Sequence, residues 1–514
     1  MTNLAKVSNI YKSSAVVGFW TLCSRIMGFI RDILFASILG SGAVADAFLL
    51  AFRIPNLFRK FFAEGAFSAA FIPLLTEKNE KYGLQAGVAF TSNIASLLLF
   101  IVIPLIILSE FFMPSIVNFI APGFINDIER LELAIPYARI VFPYLVFIIF
   151  TALFASALNT SGRFWSGAAA PVILNVFLII ALIISIYFDK DTGIIMCWAV
   201  LLAGVFQMLL LAWANFKNGL SFSIFFPKVN EDVKIFFKKF LPGAIGSGVT
   251  QINLLVASIF ASQIPGAISW LYYSDRVAQL PLGIIGIAIG TALLPDLAKR
   301  ISLGQNKEQN IIQEKAILLS LLFALPSAVA LYYLSELVIS SLFGYGVFIK
   351  SDVIATSNAL KIYAIAIPAF MMIKVLSPNF FARKDTKTPV LIGTLCAFIN
   401  IILTWYLMNK YGFVGIAISL CIAGYLNAIL LFNIMIIRKY YNCTQIFLGI
   451  FLKIILATIF MLLILFLLNN FLLSFKFGEV IKLILFIISG LISYFLLNYL
   501  LGVKKYFSSN SISL

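Results

Sequence analysis

Arginines and carboxylates lie inside two apolar segments near the start of the chain. The stretch 24–73 contains the charged residues Arg25, Arg31, Asp32, Asp46, Arg53, Arg59 and Glu64. A charge at the centre of a bilayer costs a few kcal/mol or more, so it needs a partner or a water-filled cavity. Because several cations are gathered in one part of the chain, the pattern predicts a hydrated, positively charged chamber that binds an anion.

The composition is that of a membrane protein. Of the 514 residues, 62% are hydrophobic and only 11% are charged, whereas charged residues make up about a quarter of an ordinary soluble domain. We therefore predict an all-α polytopic membrane protein, since lipid-exposed backbone has to satisfy its own hydrogen bonds. The formal charge of +16 comes mainly from cations spread over short loops, so nucleic acid is not a predicted partner.

The sequence lacks the residues that several kinds of metal and catalytic site require. The chain has no histidine, and its five cysteines show no CxxC spacing, so we predict neither a metal site nor a cofactor. A phosphate-binding loop of the GxxxxGK[ST] type and a serine nucleophile elbow are also missing from the sequence. We therefore predict that the protein is not an enzyme.

Apolar runs of about 20 residues, long enough to cross a bilayer, predict about fourteen transmembrane helices. They lie near 14–40, 44–75, 85–112, 133–158, 166–187, 193–215, 240–262, 267–297, 313–343, 356–381, 388–408, 413–437, 446–470 and 478–502. Lys and Arg are concentrated in alternate loops and in both end segments, so the positive-inside rule predicts that both termini are cytoplasmic.

The sequence also contains an internal duplication. The segment Ala45–Pro73 is similar to residues 269–295, and Pro143 and Asn175 recur as Pro368 and Asn400, at a shift of 222 to 225 residues. A shift of six spans predicts two six-helix lobes in the same orientation, as in parallel-repeat transporters that bind substrate in a central cavity. We predict lobes at 1–219 and 220–440, followed by two further helices in 441–514.

Each charged residue has a second interpretation. Arg25 and Arg31 line a cavity or extend to the interface, and Arg31 and Asp32 can form a local ion pair. Pro55 is expected to break or bend the second span, and an unwound midsection there would expose the surrounding charges to water, although this stretch also suits a cytoplasm-facing amphipathic segment. The other candidates are Asp275 and Arg276, as cavity residues or a neutralised pair, and Lys374, as a cavity cation or an interfacial one.

Several motifs together resemble one family over essentially the whole chain. They are SRIMGFIRD, FRIPNLFRKFFAEGAFSAAFIP, WLYYSDR, LPLGIIGIAIGTALLP and ARKDTKTPV, and they are similar to those of the MurJ (MviN) lipid II flippases of the MOP exporter superfamily. The resemblance implies fourteen helices, with a final pair that forms a groove for a lipid tail. It places the cavity arginines at Arg25, Arg31, Arg59 and Arg276, and the acidic positions at Asp32, Asp46, Glu64 and Asp275, while Arg53 and Lys374 are predicted supporting charges.

The resemblance also implies a function. The protein is expected to flip lipid II, a peptidoglycan precursor on undecaprenyl diphosphate, from the cytoplasmic to the periplasmic leaflet of the bacterial inner membrane by alternating access. Expected partners are lipid II, membrane lipids and other peptidoglycan-synthesis proteins. Two alternatives stay open: an exporter of drugs or small cations from the same superfamily, which should have an excess of cavity carboxylates, and a non-transporting scaffold for wall-synthesis enzymes.

Overall fold

The computed structural model describes residues 2–63, 66–187, 191–472, 475 and 477–508. Every regular element in these ranges is helical, which confirms the predicted all-α class. By packing, the chain forms two compact units, Met1–Ser269 and Trp270–Leu514.

The first unit contains ten helices among its described residues. They are α1 (Thr2–Leu39), α2 (Ala43–Ala63), α3 (Ala66–Tyr82), α4 (Leu84–Phe111), α5 (Met113–Ile120), α6 (Ile128–Val141), α7 (Tyr144–Thr160), α8 (Trp165–Tyr187), α9 (Thr192–Phe216) and α10 (Glu231–Ala261). Helix α1 packs along α8, α2 packs against α6 and α7, and α3 packs against α4 and α10. These contacts place the charged helix α1 against the uncharged helix α8, and the charged helix α2 against the uncharged α7 and against α6, which carries charges of its own.

The second unit begins within a helix. The remaining elements are α11 (Ala267–Pro281), a π-helical turn (Leu282–Gly286), α12 (Ile287–Ser302), α13 (Asn306–Tyr333), α14 (Ser335–Phe343), α15 (Lys350–Ala382), α16 (Lys387–Tyr411), α17 (Val414–Ile437), α18 (Gln445–Leu472), α19 (Glu479–Leu500) and α20 (Val503–Ser508). Helix α15 packs against α12, α13 and α17, and α18 packs against α13 and α19. The last long pair therefore joins the unit through α13.

The helix boundaries repeat along the chain, as the sequence predicts. Helix α4 begins at Leu84 and α13 at Asn306, which is 222 residues later. The same shift carries the starts of α5, α6, α8 and α9 onto those of α14, α15, α16 and α17. One difference falls at the paired prolines: Pro143 lies between α6 and α7, whereas α15 continues through Pro368.

The second predicted span, 44–75, is covered by α2 and α3, and residues 64–65 between these helices lie outside the described residues. Helix α2 continues through Pro55 to Ala63, so the expected break at that proline is wrong, and the alternative of a bend stays a prediction. A proline removes one backbone donor and bends a helix, and its neighbours keep the remaining ladder. In the second copy, α11 and α12 flank the π-helical turn, a feature often found at functional sites.

Ten stretches of helix in the described residues are long and apolar enough to cross a membrane. They are α4, α6 with α7, α8, α9, α13, α15, α16, α17, α18 and α19. Helix α1 and the pairs α2–α3 and α11–α12 are outside this set and carry most of the predicted site charges. The chain is thus a multi-pass membrane protein, and the total of fourteen spans stays a prediction.

A buried carboxylate fixes the ends of the last helices to α13. Glu314 accepts hydrogen bonds from the Tyr506 hydroxyl at 2.9 Å and from the Thr444 hydroxyl at 2.8 Å. The Tyr441 hydroxyl donates to the same carboxylate at 3.2 Å. Burial and the bond to Glu314 raise the pKa of Tyr506 above its usual value, so this hydroxyl keeps its proton and donates. These hydrogen bonds to Glu314 hold both the segment before α18 and helix α20 against α13.

A glycine at the start of α17 tests the packing of the second unit. A Cβ on Gly415 would lie 2.4 Å from the Leu407 carbonyl oxygen, whereas one on Gly449 would have no heavy atom within 4 Å. We expect Gly415→Ala to destabilise the protein by about 1–3 kcal/mol because backbone has to move. Gly449→Ala, the control, should leave the thermal unfolding midpoint in detergent unchanged. Equal midpoints for the two variants would contradict the close approach of α16 and α17.

Candidate functional site

Arg31 is held in a fixed orientation by two neighbours. Its Nη2 and Nε atoms lie 2.6 and 3.0 Å from Asp32 Oδ1, which confirms the predicted local ion pair. Its Nη1 donates to Asn175 Oδ1 on α8 at 2.9 Å, and Asn175 Nδ2 donates to the Ser24 carbonyl at 3.0 Å. The Arg31 side chain is 11% exposed. Asn175 therefore joins the charged part of α1 to an apolar helix.

A glycine of the same motif, Gly28, lies where α1 approaches Asn175 on α8. A Cβ on Gly28 would be 3.5 Å from Asn175 Nδ2, which is ordinary contact distance. A larger side chain would displace the amide that binds Arg31. Arg25 lies on the same helix and is exposed. The two arginines of the motif thus differ, since one is held by partners and the other is accessible.

Helix α2 carries the next two arginines, and both are half-buried. Arg59 Nε donates to Asn56 Oδ1 at 3.0 Å, so the asparagine one turn earlier orients the guanidinium. Arg53 Nη1 donates to the hydroxyl of Ser258 on α10, and that hydroxyl donates to the Leu254 carbonyl at 2.9 Å. Glu64, which belongs to the same predicted constellation, lies outside the described residues.

Asp46, at the start of α2, accepts hydrogen bonds from the turn that joins α10 to α11. The carboxylate is fully buried and accepts from the backbone N–H of Gly266 at 2.9 Å, from that of Ser269 at 3.0 Å and from the Ser269 hydroxyl at 2.7 Å. Arg130 Nη1 lies 3.6 Å from it. This environment gives Asp46 a role in fixing the turn.

Arg130 is the cation that faces Asp46, and sequence reasoning missed it because it stands before an apolar run. Its Nε lies 2.6 Å from Asp127 Oδ2, and its Nη1 donates to the Ser262 carbonyl at 3.0 Å. Burial opposes ionisation of Asp127, but hydrogen bonds from the Arg130 side chain and backbone hold the pKa of Asp127 below its usual range. Asp127 is therefore ionised at neutral pH, and its ion pair with Arg130 supports the turn.

The second unit contributes three of the predicted residues. The Arg276 guanidinium lies over the Tyr272 ring, 4.7 Å from its centroid, a cation–π contact on α11. Asp275 accepts a hydrogen bond from the Gln279 amide one turn later. Lys374 on α15 is exposed, and a Cβ on Gly290 would lie 2.9 Å from its carbonyl oxygen. Lys374 therefore lies against α12, next to the π-helical turn.

Three residues that position the arginines were not predicted. Asn56, Asn175 and Ser258 are uncharged, and one polar residue in an apolar helix gives no periodic signal. The repeat in the sequence is the one available indication for Asn175, because it pairs this residue with Asn400, and both are buried. Among the described residues no group of three or more His, Cys, Asp or Glu side chains is placed to hold a metal ion.

Comparison with solved structures first gives the class of fold. A solved inward-facing multidrug-resistance transporter of the MATE family, in the MOP superfamily, superposes with a TM-score of 0.69 at 16% identity, covering 81% of this chain and 95% of that one. At this identity the likeness shows the fold alone. The chain has the fold of a multi-pass helical transporter of the MOP superfamily.

The family follows from closer similarities. The family model described as lipid II flippase MurJ matches residues 35–486. A probable lipid II flippase MurJ of Rhizobium tropici is 40% identical over 82% of this chain and 80% of the relative, and one of Buchnera aphidicola from Acyrthosiphon pisum is 34% identical over 98% and 100%. A solved lipid II flippase MurJ, in an inward closed conformation, superposes with a TM-score of 0.82 at 29% identity, covering 96% and 99%. This chain belongs to the MurJ family of lipid II flippases.

Asp46 gives a test that separates a structural carboxylate from a substrate-site one. Asp46→Asn keeps the shape but weakens the bonds from Gly266, Ser269 and Arg130, so we expect the free energy of unfolding to fall by about 1–3 kcal/mol. Glu77→Gln, at a side chain that is 52% exposed, is the control and should unfold at the wild-type temperature. Asp46→Asn with unchanged unfolding and lost activity would instead place Asp46 at the substrate.

Proposed function

We propose that this protein moves lipid II from the cytoplasmic to the periplasmic leaflet of the bacterial inner membrane. The observation that carries the proposal is a set of arginines on largely apolar helices in a chain that belongs to the lipid II flippase family. Lipid II offers these arginines a diphosphate, and guanidinium groups bind phosphate oxygens through charge-assisted, often bidentate hydrogen bonds.

Each arginine is assigned according to its surroundings. Arg31 and Arg59 are already oriented by Asn175 and Asn56, so little side-chain entropy is lost when they bind an anion. Arg25 is exposed and can reach an incoming head group. We propose that Arg276 in the second unit, which lies over the Tyr272 ring, also binds the diphosphate, because a guanidinium group matches the geometry of phosphate oxygens.

The remaining charges have a supporting role. We propose that Asp32, Arg53, Asp275, Lys374, Asp46 and Glu64 set the field in which the arginines act. Asp32 limits the net charge near Arg31, to which it is bonded. Arg53, bonded to Ser258, contributes positive potential. Together these charges leave a small net positive charge near the arginines. We expect such a charge to attract a diphosphate and still allow its release.

The lipid tail requires an apolar surface that stays open to the bilayer. We propose that α18 and α19 provide it, as the two helices outside the six-helix repeats 1–219 and 220–440. Tyr494 on α19 donates to the Leu322 carbonyl on α13 at 2.5 Å, so this pair is attached to the second unit at a defined point. The pair has many exposed apolar side chains, such as Leu452, Ile459 and Ile488, which suit a prenyl chain.

The cycle is one of alternating access. The head group binds from the cytoplasmic side, a conformational change exposes it to the periplasm, and the empty carrier returns. With an inside-negative potential, movement of a net positive charge across the field is worth about 2.3 kcal/mol per charge per 100 mV, which can drive one of these steps. Other wall-synthesis proteins are proposed partners at the membrane surface.

The function is tested by complementation of a bacterium depleted of its own lipid II flippase. We expect the wild-type chain to restore growth and outer-leaflet lipid II, detected by an externally added lipid II-cleaving enzyme. Arg25→Ala, Arg31→Ala and Arg276→Ala should each abolish both, because each removes a proposed diphosphate contact. Lys217→Ala, which removes an exposed loop cation, is the matched control and should complement, with immunoblots confirming membrane insertion of all variants.

Two results would contradict the proposal. Normal growth with all three arginines neutralised would favour a scaffold role, in which no anion is bound. Restored growth without lipid II in the outer leaflet would mean that the chain supports the wall by another route.

Orientation is tested separately with single cysteines in a chain whose native cysteines are replaced. Lys217 and Lys350 are both exposed, and positive-inside reasoning puts them on opposite sides. We expect a membrane-impermeant thiol reagent, added to intact spheroplasts, to label Lys350→Cys and not Lys217→Cys. The reverse labelling pattern would invert the proposed topology and with it the direction of flipping.

A further inference from the structure

A non-helical segment, residues 221–230, packs against the transmembrane helix α4. Ser92 Oγ accepts from the Ser223 backbone N–H at 3.1 Å, and Ser96 Oγ accepts from that of Phe225 at 3.1 Å. Asn93 binds Lys228 twice, accepting from its N–H at 2.8 Å and donating to its carbonyl at 2.7 Å. Non-helical backbone next to lipid is costly unless its polar groups are satisfied, and these three side chains satisfy several of them.

The attached segment completes a groove with the α3–α4 hairpin, which we name the linker groove. Its volume is about 480 Å³, in the range of small-ligand sites. Lys78, Tyr82, Lys228 and Asp232 line its polar part, and Phe90 and Phe225 line its apolar part. Cationic head-group contacts and apolar chain contacts therefore occur in one cavity.

The surroundings of the linker groove suit a membrane interface. Phe226 is 79% exposed and its ring lies 5.7 Å from that of Phe100, which is also exposed on α4. Ile224 and Val229 are exposed as well. Apolar side chains of this size on a loop are stable where they enter lipid, so the segment is placed at the edge of the bilayer.

The charge at the groove is positive. Residues 76–82 and 228–239 contain six lysines and four carboxylates. Lys78 pairs with Asp232 at 2.8 Å. A hydrogen bond from Lys81 and the charges of Lys81, Lys239 and Lys78 hold the pKa of Glu77 below its usual range, so Lys239 also acts on this surface. An anion that enters the groove meets this excess of cations.

We propose that the linker groove binds an anionic phospholipid, with its phosphate at Lys78 and Lys228 and an acyl chain along Phe90 and Phe225. The combination of two lysines, an aromatic rim and an apolar floor matches a lipid better than a soluble anion. A lysine near an anionic head group contributes roughly 1 kcal/mol, or about fivefold in affinity. The bound lipid would fasten the segment 221–230 to α4. The inference is independent of which substrate the protein flips.

The test uses the purified full-length protein and native mass spectrometry. Phosphatidylglycerol and phosphatidylcholine with the same acyl chains are titrated separately, and the dissociation constants are compared. We expect wild type to prefer phosphatidylglycerol and Lys228→Gln to bind it about fivefold more weakly, with phosphatidylcholine unchanged. Lys228→Gln should fold, because Asn93 binds the backbone of Lys228 and not its side chain.

A matched control addresses general surface charge. Lys217→Gln removes an exposed lysine from the same loop, next to Trp213 and outside the groove, and should bind phosphatidylglycerol like wild type. Equal weakening by the Lys217 and Lys228 variants would show a diffuse basic loop and overturn the site. Equal affinity of wild type for the two lipids would overturn it too.

A second measurement locates the bound ligand and distinguishes a lipid head group from free phosphate. Hydrogen–deuterium exchange of residues 221–230 is compared in phosphatidylglycerol and phosphatidylcholine nanodiscs. We expect slower exchange in phosphatidylglycerol for wild type and Lys217→Gln, and a smaller difference between the two lipids for Lys228→Gln. The same protection in phosphatidylcholine nanodiscs on addition of millimolar inorganic phosphate would mean that the groove binds free phosphate, and the lipid proposal would then be wrong.

Discussion

A charge inside a membrane protein persists only where neighbouring groups replace the water that it has lost. In the first unit this requirement determines which helices meet. Arg31 needs Asp32 and Asn175, so α1 packs against α8. Asp46 needs the backbone donors of Gly266 and Ser269, so the start of α2 fixes the turn after α10. Each of these contacts joins one element to another at a defined register.

The sequence predicted the helical class, the repeat and the charged segments, because each of these is a pattern in the chain itself. Apolar runs of sufficient length indicate transmembrane helices. The repeat of the helix boundaries stays recognisable even where the side chains of the two copies differ. The partners of the charges could not be predicted, since a lone Asn175 or Ser258 resembles any other polar residue in an apolar helix. The expected break at Pro55 was wrong for a related reason: α2 packs against α6 and α7, and these neighbours keep the helix continuous where an isolated helix could end.

Polar residues on α4 illustrate the same limit of sequence reasoning. Ser92, Asn93 and Ser96 are buried in a span that is largely apolar. Read alone, they suggest a polar face toward a cavity or another helix. In the structure they bind backbone groups of a non-helical segment, which helps irregular backbone to lie against a spanning helix. A polar stripe on a membrane helix can therefore reflect the needs of a loop and have no part in substrate binding.

The arginines differ in what a substrate has to displace. Arg31 is already bonded to Asp32 and Asn175, so a phosphate that binds it either adds to these contacts or replaces the carboxylate. Replacement leaves Asp32, which is buried, without its cation, and that cost opposes tight binding. Arg25 is exposed and carries no such penalty, so it suits the first contact with the diphosphate. A transporter has to bind its substrate and then release it, and the proposed diphosphate site, with one accessible arginine and one restrained by its own carboxylate, suits both steps.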